Sequence, residues 1–380
     1  MLRYEIADWM REEQARRQSL FTDLFSGRPV DHVPLEIRAA DDEFTVRRHF
    51  FGKDGEWLRD SLRSVLLTWQ MGCHTDAVPA LCADVGCSVI ANAFGSAYVF
   101  LGNENQTPSV KERLIRDLEE EIDGIRVPDL SEAEWISEGL RRMRQAAELG
   151  QGFTPQCGLD AAGGINVAAD LMGVSELLVA MLTQPEALHR LLDLIQETYL
   201  ELIGLETEAC GGLEHMTTTD FFAGWAPMGW KGHCSDDISA MIAPDLYREF
   251  SLPYHARVYE RYGCGGLHNC GPNPCRDAYM DGSLTPVYLD LNEIYSGGDL
   301  EALRSSVGGK GFLRWGSDMT DPEEIAASYE RYMELLAPDL MLIPTYTFRR
   351  PEDGAALYDR LLPIAREYAK RMSFHPFCRG

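Results

Sequence analysis

Three short β-rich runs near the C-terminus decide the fold: Thr-Pro-Val-Tyr-Leu-Asp-Leu at 285–291, Gly-Phe-Leu-Arg-Trp at 311–315 and Leu-Met-Leu-Ile-Pro at 340–344. Stretches of helical length separate them. A helix between two strands is the usual connection when the strands pair in parallel, because it carries the chain back to the edge where the first strand began. The pattern therefore predicts an α/β fold with a parallel sheet.

The same alternation extends towards the N-terminus. Further β-rich runs lie at 32–37, 151–157, 213–219 and 265–269, and an additional candidate lies at 75–80. Seven clear runs and one candidate suit a closed (β/α)8 TIM barrel, which typically takes about 250 residues. An open doubly wound sheet is the alternative, but no Gly-x-Gly-x-x-Gly follows any early strand, as such a sheet would favour.

The chain is longer than a minimal barrel, so we expect a single domain over 1–380 with an N-terminal helical elaboration. Residues 1–30 and 38–130 are predicted to cover one end of the barrel, whose core is predicted at about 31–37 and 150–372. A long amphipathic helix is indicated by apolar residues three and four apart, namely Leu188, Leu191, Leu192, Ile195 and Tyr199.

The composition argues against two classes of partner, nucleic acids and membranes. Sixty acidic and 35 basic residues give a net charge of −25, which repels phosphate backbones and anionic lipid, so we expect neither nucleic acid nor a membrane as partner. The first 20 residues have no apolar core of a signal peptide, and no apolar run approaches the roughly 18 residues of a membrane span. With ten cysteines, the sequence predicts a cytoplasmic protein with free thiols.

The strongest local signal for chemistry is the pair His268 and Cys270, at the end of the run 265–269. Side chains two residues apart on a strand point to the same face, and in a barrel the carboxyl ends of the strands line the mouth. Imidazole and thiolate together suit zinc, which would need a third ligand from another loop. A buried cysteine beside a hydrogen-bonded histidine is the alternative interpretation.

The segment His-Asn-Cys-Gly at 268–271 resembles the His-x-Cys-Gly motif of the uroporphyrinogen decarboxylase superfamily, in its zinc-dependent methyltransferase branch. Other similar segments occur in the same order as in that family, at 28–34, 163–188, 235–254 and 316–318. The resemblance implies a (β/α)8 barrel with its pocket at the C-terminal mouth. It also implies transfer of a methyl group between a small methylated substrate, of ether, amine or thiol type, and a corrinoid carried on a separate protein.

The same resemblance implies zinc held by His268, Cys270 and a third residue. Some members take a cysteine from the end of the eighth strand, but the corresponding residues 343–348 contain none. Asp220, Cys234, Asp236 and Asp237 remain as alternatives, and we choose Cys234, whereas Cys275 is more simply a buried thiol. The oligomeric state stays open, with a homodimer as one arrangement.

Further candidates lie at predicted strand ends. Asp220 is a candidate general acid or base, although an aspartate there could equally cap a helix. We also expect catalytic roles for Asp237 and Tyr346, and substrate contacts from Arg349. A loop of aromatic residues after Asp220 is predicted either to contact substrate or to form a hydrophobic lid or core plug: Phe221, Phe222, Trp225 and Trp230.

Two other functions remain open. One is a metal-free decarboxylase in which Asp220 and Arg38 orient the carboxylate that is lost. However, residues 36–43 hold one arginine among four acids, a poor site for a polyanionic porphyrinogen. The other is a barrel that binds a corrinoid or another ligand without catalysis.

Overall fold

The computed structural model describes residues 2–40, 55–99, 109–222 and 224–374. Its main sheet has six parallel strands in the order β1-β8-β7-β6-β5-β4. Their bounds are β1 Glu36–Ala39, β4 Gly232–Ser235, β5 Cys264–Asn269, β6 Tyr288–Asn292, β7 Phe312–Gly316 and β8 Met341–Phe348. A separate antiparallel pair joins β2, Tyr98–Val99, to β3, Ser109–Val110.

The sheet closes into a barrel through short segments between β1 and β4. The Asp76 N–H donates to the Leu35 carbonyl, Leu81 and Gln156 form a parallel bridge, and Gln156 bridges in parallel to Met216. The Thr219 N–H then donates to the carbonyl of Lys231, which precedes β4. This is an α/β barrel of the TIM type, the fold class that the sequence predicts.

The strand predictions differ from the structure at three places. The predicted runs 151–157 and 213–219 contribute only the isolated bridges at Gln156 and Met216, and Leu213–His215 is a turn of 3-10 helix. In addition, β4 was not predicted, since Gly-His-Cys-Ser contains no β-branched or large aromatic residue.

Helices surround the barrel. Their bounds are α1 Asp8–Phe25, α2 Glu56–Gln70, α3 Val89–Ala93, α4 Leu118–Glu121, α5 Glu134–Gly150, α6 Gly164–Met172, α7 Val174–Thr183, α8 Pro185–Cys210, α9 Pro244–Phe250, α10 Leu252–Tyr262, α11 Glu293–Ser296, α12 Leu300–Val307, α13 Pro322–Leu336 and α14 Pro351–Arg371. The predicted amphipathic helix is α8, and all five of its apolar residues named above are buried. At the start of α13, the Asp321 carboxylate accepts the N–H groups of Glu323 and Glu324.

Helix α1 packs against the end of the barrel where the strands begin. Phe21, Leu24 and Phe25 are fully buried, and the Phe25 ring contacts the rings of Tyr288 and Phe312 at centroid distances of 6.0 and 5.2 Å. These aromatic contacts close the N-terminal end and leave the opposite end for a pocket. The predicted extension 38–130 also contains Asp76 and Leu81, whose backbones form hydrogen bonds that help to close the barrel. Residues 41–54 and 100–108 of that extension lie outside the described residues.

A return segment, residues 221–222 and 224–230, connects Asp220 to the start of β4. The Thr217 hydroxyl donates to the Phe222 carbonyl, and the Ala226 N–H donates to the Thr217 carbonyl, so the chain doubles back beside the segment around Thr217 that it has just left. Its last residue, Trp230, contacts Phe25 with ring centroids 6.0 Å apart at the N-terminal end. The return segment therefore runs from the mouth towards the opposite end before β4 begins.

No single helix among the described ranges is both long and apolar enough to cross a membrane. One bent pair, α6 and α7 at 109° to each other, meets that test on length and composition together. Most of α6 is buried in the protein, while α7 exposes Val179 and Leu182.

Candidate metal centre and its surroundings

Three side chains at the mouth of the barrel converge on one point. One ligand atom each from Asp237, His268 and Cys270 lies within 4.8 Å of the other two. His268 Nε2 is 2.8 Å from Cys270 Sγ and 4.0 Å from Asp237 Oδ1. Among the residues that the structure describes, no other group of three metal-ligating side chains brings its ligand atoms this close together.

Strands β4 and β5 bring these residues together. His268 is on β5, Cys270 follows that strand directly, and Asp237 follows β4, its neighbour in the sheet. The Asp236 N–H donates to the His268 carbonyl, and the Cys270 N–H donates to Asp237 Oδ1 at 2.7 Å. The two loops are thus joined by hydrogen bonds as well as by the sheet.

Asp290, on β6, orients the imidazole of His268. His268 Nδ1 lies 2.6 Å from Asp290 Oδ2, which leaves Nε2 to face Asp237 and Cys270. Burial lowers the pKa of His268, but the hydrogen bonds to Asp290 and Cys270 more than offset this and raise the pKa well above its ordinary value. A carboxylate on the far nitrogen of a histidine is the usual support for a metal ligand. The donor set of nitrogen, sulfur and carboxylate oxygen therefore fits zinc.

The structure does not bring Cys234, the predicted third ligand, into this group, and Asp237 takes that place. Cys234 is buried on β4. Burial raises the pKa of its thiol well above the ordinary value, which disfavours the thiolate that zinc requires. Cys275 is also buried, with Sγ 3.3 Å from the carbonyl oxygens of Ser239 and Ile242.

Asp220 forms a buried acidic centre beside the metal group. Its carboxylate accepts the N–H groups of Phe221 and Ala161 at 2.8 and 3.1 Å and the hydroxyl of Tyr199 at 3.1 Å. Burial raises the pKa of Asp220 to about 6, whereas these hydrogen bonds and the charge of His268 lower it. The carboxyl is therefore available both as a base and as a proton donor near neutral pH.

Asp160 is a site residue that sequence reasoning missed. It follows Leu159, whose N–H donates to the buried carboxylate of Glu206 at 3.1 Å, and it precedes Ala161, which donates to Asp220. Burial and the negative charge of Asp220 raise the pKa of Asp160 well above its ordinary value. A cue in the sequence was the glycine-rich stretch 158–164, because glycines mark places where backbones approach closely.

Phe222 lies inside the barrel, below the metal group. Its ring stacks on His233 and Tyr288 with centroid distances of 4.7 and 5.7 Å, and the Arg314 guanidinium lies 4.9 Å from it. Tyr288 is two residues before Asp290 on β6, so it points to the same face about 7 Å nearer the N-terminal end. Phe222 therefore forms part of the floor of the mouth.

The other predicted substrate contacts divide between the two ends of the barrel. Phe221 is 38% exposed next to Asp220. Trp225 lies against the buried amine of Lys231, 5.0 Å from its ring, and Trp230 packs on Phe25. These two tryptophans thus lie away from the mouth, because the return segment carries them to the N-terminal end; this part of the loop matches the core-plug alternative.

Arg38, Tyr346 and Arg349 lie on or beside β1 and β8. Arg38 donates to Glu36 at 2.9 Å, and the other oxygen of Glu36 lies 3.4 Å from Nε of Arg314. Tyr346 is buried, and burial raises its pKa above the ordinary value, while Arg349 is exposed. The structure does not bring Tyr346 or Arg349 into the metal group.

Comparison with known proteins defines the class. The family model of uroporphyrinogen decarboxylase (URO-D) matches residues 17–209, just over half of the chain. The chain belongs to the uroporphyrinogen decarboxylase family. The matched residues include Asp160, while Asp220 and the metal group lie beyond them.

A solved structure has a similar fold. The structure of a methyltransferase from Methanosarcina mazei is 18% identical in sequence, covers 92% of this chain and 98% of its own, and superposes with a TM-score of 0.64. The search of curated proteins found no match to this chain. The structural likeness concerns the fold and extends over 92% of this chain.

Proposed function

We propose that this protein is a zinc-dependent methyltransferase that takes the methyl group from a small methylated substrate and transfers it to a corrinoid protein. The observation that carries this proposal is the convergence of Asp237, His268 and Cys270 at the mouth of the barrel. The methyltransferase with the same fold supports the reaction type, and the family membership supports an enzyme.

The metal would be held by Asp237 Oδ1, His268 Nε2 and Cys270 Sγ. When bound, zinc supplies a Lewis acid that draws electron density from the heteroatom carrying the methyl group. Asp290 fixes the ring of His268, and the Cys270 N–H fixes the carboxylate of Asp237. The protein thus orients two of the three ligands through hydrogen bonds of 2.6 and 2.7 Å.

Two neighbouring carboxyl groups, those of Asp160 and Asp220, supply the proton that the heteroatom needs when the methyl group leaves. When the methyl group leaves, the heteroatom keeps the electron pair of the broken bond and takes up a proton. The raised pKa of Asp160 keeps its carboxyl protonated at a higher pH than that of an ordinary aspartate. We assign Asp160 as the donor and Asp220, whose pKa is raised to about 6, as the group that exchanges protons with it.

Elemental analysis together with a methyl-transfer assay tests the proposal. Wild-type protein purified without chelator is expected to hold about one zinc per chain and to methylate a reduced corrinoid acceptor from an ether, amine or thiol donor. The double variant His268→Ala/Cys270→Ala is expected to lose both. Cys275→Ala is the matched control, because it removes a buried thiol outside the metal group and should retain the zinc.

Absence of metal in the wild type, even after reconstitution with zinc, would refute the proposal. The metal-free decarboxylase would then be the function to test. Release of carbon dioxide from carboxylated substrates, abolished in Asp220→Asn, would support it. The structure counts against the decarboxylase, because the Arg38 side chain that would orient the substrate carboxylate already donates to Glu36.

A further inference from the structure

We propose that Asn166 is a positioning residue for the metal centre: its side-chain amide fixes the backbone of Asp237 and so places that carboxylate beside His268 and Cys270. This inference rests on the proposed metal site. Asn166 lies on α6, on a different part of the chain from all three ligands. Its role therefore concerns a contact between helix α6 and the loop after β4.

The contact is made by both ends of the amide. Asn166 Oδ1 accepts the N–H groups of Asp237 at 3.1 Å and Ile238 at 3.2 Å, and Nδ2 lies 3.4 Å from the hydroxyl of Ser235. The two N–H groups belong to the first turn of the 3-10 helix Asp237–Met241, where backbone donors lack partners within the helix. A single side chain thus contacts the Ser235 hydroxyl before Asp236 and the backbone of Asp237 and Ile238 after it.

The packing of the two loops leaves little freedom at this contact. Gly163, just before α6, has φ +69°, and a Cβ on it would overlap the Ser235 carbonyl oxygen. Only glycine allows this approach. Asn166 follows three residues later, so the start of α6 is pressed against the loop that carries Asp237.

Asn166 affects the position of the Asp237 carboxylate through the backbone of Asp237. The Asp237 carboxylate accepts the Cys270 N–H at 2.7 Å, and its Oδ1 lies 4.0 Å from His268 Nε2. Without the amide of Asn166, the first turn of the 3-10 helix loses the acceptor that fixes its orientation. The carboxylate then has several positions available, and we expect weaker metal binding with Asn166→Ala, while His268 and Cys270 are still held by β5.

The test measures zinc affinity by competition with a chromophoric chelator and the visible absorption of the cobalt(II)-substituted protein. Asn166→Ala is expected to bind zinc about 10- to 100-fold more weakly, the usual loss when a residue supporting a ligand is removed, and to change the cobalt spectrum. Asn166→Asp retains an oxygen that can accept both N–H groups and should bind zinc nearly as wild type does. Asn92→Ala removes an amide that donates to the Ser96 carbonyl rather than contacting the loop after β4, and it serves as control.

A double variant separates positioning from a general loss of structure. If Asn166 acts through Asp237, then Asp237→Ala/Asn166→Ala binds zinc as weakly as Asp237→Ala alone, and additive losses overturn the inference. An Asn166→Ala protein with wild-type affinity and spectrum also overturns it. If that variant does not fold, weak zinc binding by a folded Asn166→Asp overturns the inference instead. A wild type that binds no zinc removes the proposed function, and the inference with it.

Discussion

The pH dependence of the free energy of unfolding tests whether burial lowers the pKa of Lys231. Its side chain is fully buried just before β4, and Nζ donates to the carbonyls of Met216 at 2.5 Å and Thr217 at 3.2 Å. Burial lowers the pKa of Lys231 to about 7 from the ordinary value of 10.5. Between pH 7 and pH 10.5 the amine is therefore mostly neutral in the folded protein and mostly charged in the unfolded chain.

The sign and size of the effect follow from proton binding. Between pH 7 and pH 10.5 the unfolded chain binds more protons at Lys231 than the folded protein, so the free energy of unfolding rises with pH. One pH unit across this window is worth at most about 1.36 kcal/mol. Because titration begins gradually near pH 7, the gain from pH 7 to pH 9 amounts to roughly 2 kcal/mol.

The assay is urea unfolding of wild type and Lys231→Met at pH 7, 8 and 9. The difference in unfolding free energy between the two proteins should shift by roughly 2 kcal/mol in favour of the wild type across that range. Lys310→Met, which changes an exposed lysine, is the matched control and should show no such shift. A difference for Lys231→Met that stays constant with pH would refute a lowered pKa, whatever its absolute size.

Two further predictions concern the mouth of the barrel. Asp290→Asn keeps an acceptor for His268 but removes the charge, and zinc affinity measured by chelator competition should fall about 10-fold; an unchanged affinity would show that Asp290 does not support the ligand. Gly163→Ala places a methyl group against the Ser235 carbonyl oxygen at a left-handed φ, and it should cost about 1–3 kcal/mol in chemical unfolding. Gly204→Ala, with nothing within 4 Å, is the control and should instead be neutral or stabilising.

Those parts of the fold that have a clear local pattern could be predicted from sequence. Strands β5 to β8 follow the runs of apolar and aromatic residues, and α8 follows its apolar spacing, because burial on one face leaves a period that can be recognised. Strand β4 is different: its four residues, Gly-His-Cys-Ser, form a strand because β5 pairs with them. That stabilisation is tertiary and leaves no mark in the local sequence.

In the candidate site, too, some residues could be predicted from the local sequence and others depend on tertiary contacts. His268 and Cys270 could be recognised together because a strand places alternate residues on one face. The choice between Cys234 and Asp237 depended on how the loop after β4 turns, and that turn is set by Asn166 and Gly163, about 70 residues earlier in the chain. Asp160 was missed for a similar reason, since its proximity to Asp220 arises only when the barrel closes.

The return segment supplies part of the lining of the mouth from outside the strands. The barrel is closed by its strands and by the short bridged segments between β1 and β4, whereas the floor beneath the metal group is formed in part by Phe222, which belongs to the return segment. The side chain at position 222 can therefore change the surface beneath the metal group while the strand register stays the same.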